Sequence, residues 1–167
     1  MSKNIDVRVE KLKAMRAAYF HALSDTPEED AWKKAESWAR KKGLIHKNSK
    51  VRVFGGNSYP TVNPEPHGYG FFITITPDVK VESEISVRLI SGGLYGIARC
   101  KGLEQIVLTF TELMKWVDNS KYQYIGETKG EHGYEIGFEE IINWYSFLVE
   151  KSKDKIILDL MLQLWEE

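Results

Sequence analysis

Apolar residues along the chain follow two spacings, one typical of strands and one typical of helices. Between residues 87 and 117, an apolar strand that ends near Cys100 is followed by a turn containing Gly102. After this turn, apolar side chains recur every three or four residues, which gives a helix one apolar face. The members of this stripe are Leu103, Ile106, Val107, Phe110, Leu113, Met114 and Val117. The pattern therefore predicts a strand followed by a helix that packs on a sheet.

A similar unit occurs near the start of the chain. Strand-like segments lead into a helix whose beginning is marked by Thr26 and Glu29, which match a capping box, and by Pro27 at the first helical position. Gly43 marks its end. The apolar stripe of this helix contains Ala31, Trp32, Ala35, Trp38 and Ala39. Recurrence of the unit predicts two copies of one module.

The remaining segments complete each copy as strand, helix, strand, strand. The last strand is predicted over 155–165, where apolar residues alternate, and a short helix is predicted within 139–151. The fold class is therefore α+β, with repeat halves at about 1–82 and 83–167. A chain of 167 residues suits one domain, so both halves are expected to belong to a single domain spanning 1–167.

Composition narrows the range of functions. The formal net charge is −1, which gives no general attraction to nucleic acid, although the second half is the more acidic and favours a cationic partner. Cys100 is the single cysteine, and no apolar run is long enough to cross a membrane, so a cytoplasmic location is expected. The histidines are scattered, and no metal or cofactor site is predicted. They are His21, His46, His67 and His132.

Residues at the joints between these elements occur in a recognisable order. They are Met15 to His21, Phe54-Gly55-Gly56 with the Pro-containing loop after it, Arg99 to Gly102, and Tyr134-Glu135-Ile136. In this order and spacing the chain resembles the GyrI-like small-molecule-binding family. That family includes the effector-binding domains of AraC-type and MerR-type multidrug regulators and the DNA gyrase inhibitory proteins. The resemblance spans nearly the whole chain.

The resemblance implies a specific architecture and a ligand site. Two pseudo-symmetric strand-helix-strand-strand modules would share one curved antiparallel sheet, with both helices on one face and a ligand cleft on the other. Glu135 would lie in this cleft and accept the positive charge of a bulky cation. Alternation along the strand places Glu135 opposite its neighbours Tyr134 and Ile136, away from one apolar layer. A solvated carboxylate on an open sheet face is the alternative interpretation.

Aromatic side chains are the second part of the predicted site. Aromatic residues make up 12% of the chain, and their faces attract flat or cationic molecules. Those in or beside loops and strand ends are predicted to contact a ligand together with Glu135, although packing in the core or on the surface explains each of them at least as well. They are Tyr59, Tyr69, Tyr134, Trp144 and Trp165.

The leading functional hypothesis is a free-standing bacterial effector-binding module that binds amphipathic, cationic, aromatic small molecules in a cleft between its two halves. No direct nucleic-acid or membrane partner is expected. A hydrolase of electrophilic compounds that uses Glu135 as a general base is one alternative. Another is a protein-docking inhibitor similar to the gyrase inhibitory proteins. Haem binding on a related fold is a further possibility, but no histidine is well placed to be its axial ligand.

Overall fold

The computed structural model describes residues 5–58, 67–125 and 138–166, and these contain nine strands and two α-helices. The strands are β1 Val7–Leu12, β2 Met15–Ser24, β3 Val53–Ser58, β4 His67–Thr74, β5 Ser86–Ile90, β6 Gly93–Lys101, β7 Tyr122–Tyr124, β8 Phe138–Ile141 and β9 Ile157–Glu166. The helices are α1 Pro27–Lys41 and α2 Ile106–Asp118.

The strands form one curled antiparallel sheet in the order β1-β6-β9-β8-β3-β4-β2-β5, with β7 beside the end of β9. The sheet has two halves that meet where β3 pairs with β8. Counted outwards from this pairing, one half contains β3, β4, β2 and β5, and the other contains β8, β9, β6 and β1 in the corresponding positions. The α+β fold class with a shared curved sheet is confirmed. The proposed boundary between repeat halves near residue 82 stays a prediction.

Strand alternation divides the side chains between two apolar clusters, as β9 shows. Its even-numbered leucines, from Leu158 to Leu164, are buried in the cluster that includes both helices, as predicted. Met161 points to the opposite face, where it packs with residues such as Tyr95 and Phe54. The sheet thus has a helix-bearing face and an opposite face, each with its own core.

Helix α1 begins at Pro27 and is followed by Gly43 at φ +70°, as the sequence predicts. Its stripe of alanines and tryptophans is buried against β2 and β4. The predicted capping box is wrong, because the side chain of Thr26 makes no hydrogen bond to the helix N-terminus. Instead the Thr26 hydroxyl donates to Asp30 Oδ2 at 3.3 Å, and the Ser24 hydroxyl donates to the same oxygen at 2.5 Å.

Helix α2 buries Phe110, Leu113 and Val117, but the predicted stripe is too wide at its beginning. Leu103 is 59% exposed and Val107 is 78% exposed. Leu103 belongs to a 3-10 turn that precedes the helix. A 3-10 helix has about three residues per turn and an α-helix about 3.6. An apolar residue in the 3-10 segment therefore does not line up with the apolar stripe of the α-helix.

The segment 139–151 is only partly helical. Its beginning belongs to β8, which pairs with both β3 and β9, and a π-helical turn follows at Tyr145–Val149. The prediction of a short helix is therefore wrong for Glu139 to Ile141. Pairing on both sides outweighs the weak local helical spacing of these residues.

The assignment of faces predicts two contrasting substitutions. Leu160 has no exposed surface, so Leu160→Ala should lower the free energy of unfolding by about 2 to 5 kcal/mol, as for other buried leucines. Val107→Ala should change it by less than about 0.5 kcal/mol, because Val107 is largely exposed. Urea unfolding of both variants measures this, and equal losses would contradict the assigned burial.

Candidate functional site

A carboxylate lies on the helix-bearing face at the centre of the sheet. Glu139 is in β8, where it pairs with Gly55 of β3 on one side and with Leu160 of β9 on the other. Helix α1 packs over β2 and β4, whereas α2 packs mainly over β6 and β7. Glu139 therefore lies at the junction of the two halves, over the strands between those that the helices cover.

A cluster of aromatic side chains from β4 and α1 reaches this carboxylate through Tyr69. The Tyr69 hydroxyl donates a hydrogen bond of 2.6 Å to Glu139 Oε1. The Tyr69 ring lies edge-on to Phe71, with centroids 5.1 Å apart, and Phe71 contacts Trp32 of α1 at 5.3 Å. These three rings are buried, so the carboxylate lies beside an apolar, aromatic surface.

Burial raises the pKa of Glu139 to about 7, because the charged form loses its hydration. The hydrogen bond from Tyr69 lowers this pKa, and the negative charge of Glu28 on the first turn of α1 raises it. Glu139 has no cationic partner in the described part of the chain. Near neutral pH it therefore exists in both protonation states, and an external cation would favour the ionised one.

Trp32 contributes a polar atom on this side of the sheet that has no hydrogen-bond partner in the described part of the chain. Its indole N–H is buried and meets no hydrogen-bond acceptor among the described residues. Trp32 and Glu28 are four residues apart in α1, so their side chains lie on the same side of the helix. A buried donor without an acceptor is costly for a folded protein and is a common feature of binding sites.

Carboxylates on the opposite face differ from Glu139 because each has an arginine partner. Asp159 accepts a 2.6 Å hydrogen bond from Arg99 and another from Arg8. Burial alone would raise the pKa of Asp159, but these two hydrogen bonds hold it below its ordinary value. Glu140 accepts two hydrogen bonds from Arg52, at 2.6 and 2.7 Å. These groups are satisfied within the protein.

A pocket of about 550 Å³ lies at a different place, between α1, β2 and residues 82–86. Its lining includes Trp38 and Glu82. The Trp38 indole donates to Glu82 at 2.9 Å, and Lys42 forms an ion pair with the same carboxylate. These contacts lower the pKa of Glu82 to about 2. Its charge is thus compensated, unlike that of Glu139.

The residues predicted from the sequence separate into three groups. Tyr69 contacts Glu139, and Trp144 is buried in the apolar cluster of the same face, where its ring lies 5.7 Å from that of Tyr145. Trp165 is 43% exposed near the end of β9 and is not among the contacts of this site. The predictions for Tyr59, Tyr134 and Glu135 lie outside the described residues.

Sequence reasoning missed Glu139, Phe71 and Trp32. The resemblance directed attention to Glu135, and 139–151 was expected to be helical. The signal was present in Phe138-Glu139-Glu140-Ile141, where two carboxylates in a strand must point to opposite faces. The resemblance also implied a cleft on the face opposite the helices, whereas Tyr69 and Glu139 lie on the helix-bearing face.

The described residues lack two other kinds of feature. They contain no group of three or more histidine, cysteine, aspartate or glutamate side chains arranged to hold a metal ion. No helix within the described ranges has the length and apolar character needed to cross a membrane.

Comparison with solved structures supports the fold. The chain has a TM-score of 0.67 to the EcmrR C-terminal domain, with 9% identity over 99% of this chain and 100% of that one. In the EcmrR–DNA complex the match has a TM-score of 0.68 and 10% identity, and covers 97% of this chain but 58% of EcmrR. This chain therefore matches little more than half of that regulator's length.

Two other similar structures have different described roles. A hydrolase from Listeria innocua gives a TM-score of 0.68 with 9% identity over 95% of this chain and 91% of the other. SAV2435, solved with tetraphenylphosphonium bound, gives a TM-score of 0.52 with 10% identity. The match covers 96% of this chain and 94% of SAV2435. At these identities the similarity establishes only the fold.

No curated protein matches the sequence. The family model for the GyrI-like small molecule binding domain, however, matches residues 5–143, which is most of the chain. The central strands and Glu139 fall within this range. The protein thus belongs to the GyrI-like family of small-molecule-binding domains.

Proposed function

We propose that this domain binds amphipathic aromatic cations at the site formed by Glu139 and its buried aromatic neighbours Tyr69 and Phe71. The observation that carries the proposal is a partly buried carboxylate with aromatic neighbours and no cationic partner in the described residues. Removing a carboxylate from water is costly unless a positive charge compensates it. A bound cation supplies that charge at the junction of the two halves.

The contacts favour a hydrophobic cation over a small, hydrated one. Aromatic faces attract cations by about 0.5 to 2 kcal/mol each, with the larger values in desolvated sites. Such contacts depend little on the exact shape of the ligand, so the site is suited to a range of compounds. The tetraphenylphosphonium ion bound to SAV2435 is a cation of this class. By analogy with EcmrR, we assign this chain the role of a bacterial, cytoplasmic effector-binding module.

Binding in this site is coupled to loss of a proton. Below a pH of about 7 the Glu139 carboxyl is mainly protonated, so a cation must displace the proton before it gains the full attraction of the charge. Glu28 adds negative potential from α1 and favours the same class of ligand. The ionised carboxylate still accepts the Tyr69 hydroxyl at Oε1, which keeps it in position.

A second candidate function is hydrolysis of electrophilic small molecules. A general base is most effective when its pKa is near the working pH, and that of Glu139 is raised to about 7. Tyr69 orients the carboxylate, which would take a proton from an attacking water. A similar structure is described as a hydrolase from Listeria innocua, which is consistent with this alternative. At 9% identity, however, the similarity between the two proteins is one of fold.

For ligand binding, we expect the affinity for tetraphenylphosphonium to rise by about tenfold per pH unit below the pKa of Glu139 and to level off above about pH 7. Neutral triphenylphosphine oxide should show no such rise, because it gains nothing from the ionised carboxylate. Isothermal titration between pH 5.5 and 8.5 at constant ionic strength measures both profiles.

Three glutamine variants assign this pH dependence to a residue. Glu139→Gln should weaken cation binding at pH 8 and flatten the profile. Glu140→Gln is the matched control, because the neighbouring carboxylate is on the opposite face and is paired with Arg52. Glu135→Gln tests the prediction from the sequence. A flat profile for Glu135→Gln with an unchanged one for Glu139→Gln would transfer the role to Glu135.

Ligand-free stability provides an independent prediction. The folded-state pKa of Glu139 lies above its ordinary value of 4.5, so the fold is favoured by protonation and loses stability as pH rises from about 4.5 to about 7. Glu139→Gln lacks this loss. Its free energy of unfolding should match that of wild type at pH 4.5 and exceed it at pH 8 by at most about 3 kcal/mol. Urea unfolding would refute this if the difference were independent of pH.

The hydrolase alternative predicts turnover. Wild-type protein should release a chromophore from activated aryl esters or open aryl epoxides, with the rate of Glu139→Gln reduced by about a hundredfold or more. Initial rates should rise with pH through about 7, as the base ionises. Equal rates for wild type and Glu139→Gln would remove Glu139 as a base and leave the binding proposal intact.

A further inference from the structure

Gly55, one of two adjacent glycines in the central strand β3, is not required by its backbone conformation. Glycine weakens a strand because it gains freedom on unfolding and contributes no side chain to the packing. In the described residues, glycines with positive φ are Gly43, Gly93 and Gly102. Gly55 is not among them, so its backbone conformation is open to other residues. Something other than φ must account for a glycine here.

The space above Gly55 is occupied by Tyr69. A Cβ atom on Gly55 would lie 2.3 Å from the Tyr69 hydroxyl oxygen, 3.0 Å from Cζ and 3.1 Å from Cε1. These distances are shorter than van der Waals contact, so the ring of Tyr69 rests directly on the glycine. Any other residue at position 55 would require the tyrosine to move.

The order of the strands explains why the side chain of Tyr69 lies over Gly55. Gly55 pairs with Phe71 of β4 on one side and with Glu139 of β8 on the other. Neighbouring strands are about 4.8 Å apart, so Tyr69 on β4 must extend across the whole width of β3 to reach Glu139. A flat aromatic ring crosses an intervening strand only where that strand has no side chain on the same face.

We infer that Gly55 is a positioning residue for the candidate site: its missing side chain lets Tyr69 cross β3 and donate its hydroxyl hydrogen to Glu139. This contact occupies Oε1 of the carboxylate, whereas Oε2 accepts no hydrogen bond from the described residues. The charged group facing Glu139 from α1 is Glu28, and the titratable group facing it from β4 is Tyr69. The thiol of Cys100 on β6 also senses the charge of Glu139, which raises the pKa of that thiol in addition to the larger effect of burial. The link to ligand binding rests on the proposed function, but the geometry does not.

Gly70 provides a matched control within the same sheet. A Cβ atom on Gly70 would lie 2.4 Å from both the hydroxyl oxygen and Cε2 of Tyr19. The steric conflict is therefore similar, but Tyr19 belongs to the cluster on the opposite face. Gly70→Ala should disturb packing to a comparable degree without reaching Glu139.

The test is the titration of the Glu139 carboxyl in ligand-free protein, followed by carbon-13 NMR. Loss of one hydrogen bond to the ionised form should raise its pKa by roughly one pH unit. We expect this rise in both Gly55→Ala and Tyr69→Phe, and no further rise when the two are combined. Gly70→Ala should titrate like wild type.

A rise in Tyr69→Phe but not in Gly55→Ala would overturn the inference, as would an equal rise in Gly70→Ala. If Gly55→Ala fails to fold, Gly55→Ala/Tyr69→Leu should recover folding, because the obstructing ring is gone. Failure of the double variant to recover, when Tyr69→Leu alone folds, would also overturn it. Because the titration uses no ligand, failure of tetraphenylphosphonium to bind would refute the proposed function while leaving this result unaffected.

Discussion

The pairing of β3 with β8 is the interaction on which both the fold and the site depend. It is short, with Phe54 opposite Glu140 and Gly55 opposite Glu139, yet it joins the two halves of the sheet. The same pairing brings Glu139 from the second half beside Tyr69 from the first. The site is therefore made from both halves of the sheet, and neither half contains it alone.

The two faces of the sheet use carboxylates in different ways. On the opposite face, Asp159 and Glu140 are held by arginines, which makes them part of the structure. On the helix-bearing face, Glu139 has a tyrosine and an acidic neighbour instead. The difference is physical rather than a matter of residue type: the hydrogen bonds from Arg99 and Arg8 hold the pKa of Asp159 below its ordinary value, whereas burial without a cation raises that of Glu139.

The spacing of apolar residues predicts most of the fold, because each strand and each helix repeats it at a fixed interval. The leucine alternation in β9 and the stripe of α1 specify which faces are buried, and both were predicted correctly. The site required information that is not local. Which carboxylate lies beside Tyr69 depends on the pairing of strands distant in sequence, and Glu139 was overlooked because β8 is too short to give a clear strand signal. Gly55 likewise gives no local signal of its role, because Tyr69, the side chain that occupies the space above it, belongs to the neighbouring strand.

The most direct test of the central claim is a crystal structure of the protein with tetraphenylphosphonium bound. We predict phenyl groups of the ligand against Tyr69 and Phe71, with its positive centre within about 6 Å of the Glu139 carboxylate. The hydrogen bond from Tyr69 to Glu139 should be retained. A ligand found instead on the opposite face against Tyr95, or in the pocket beside Trp38, would contradict this account.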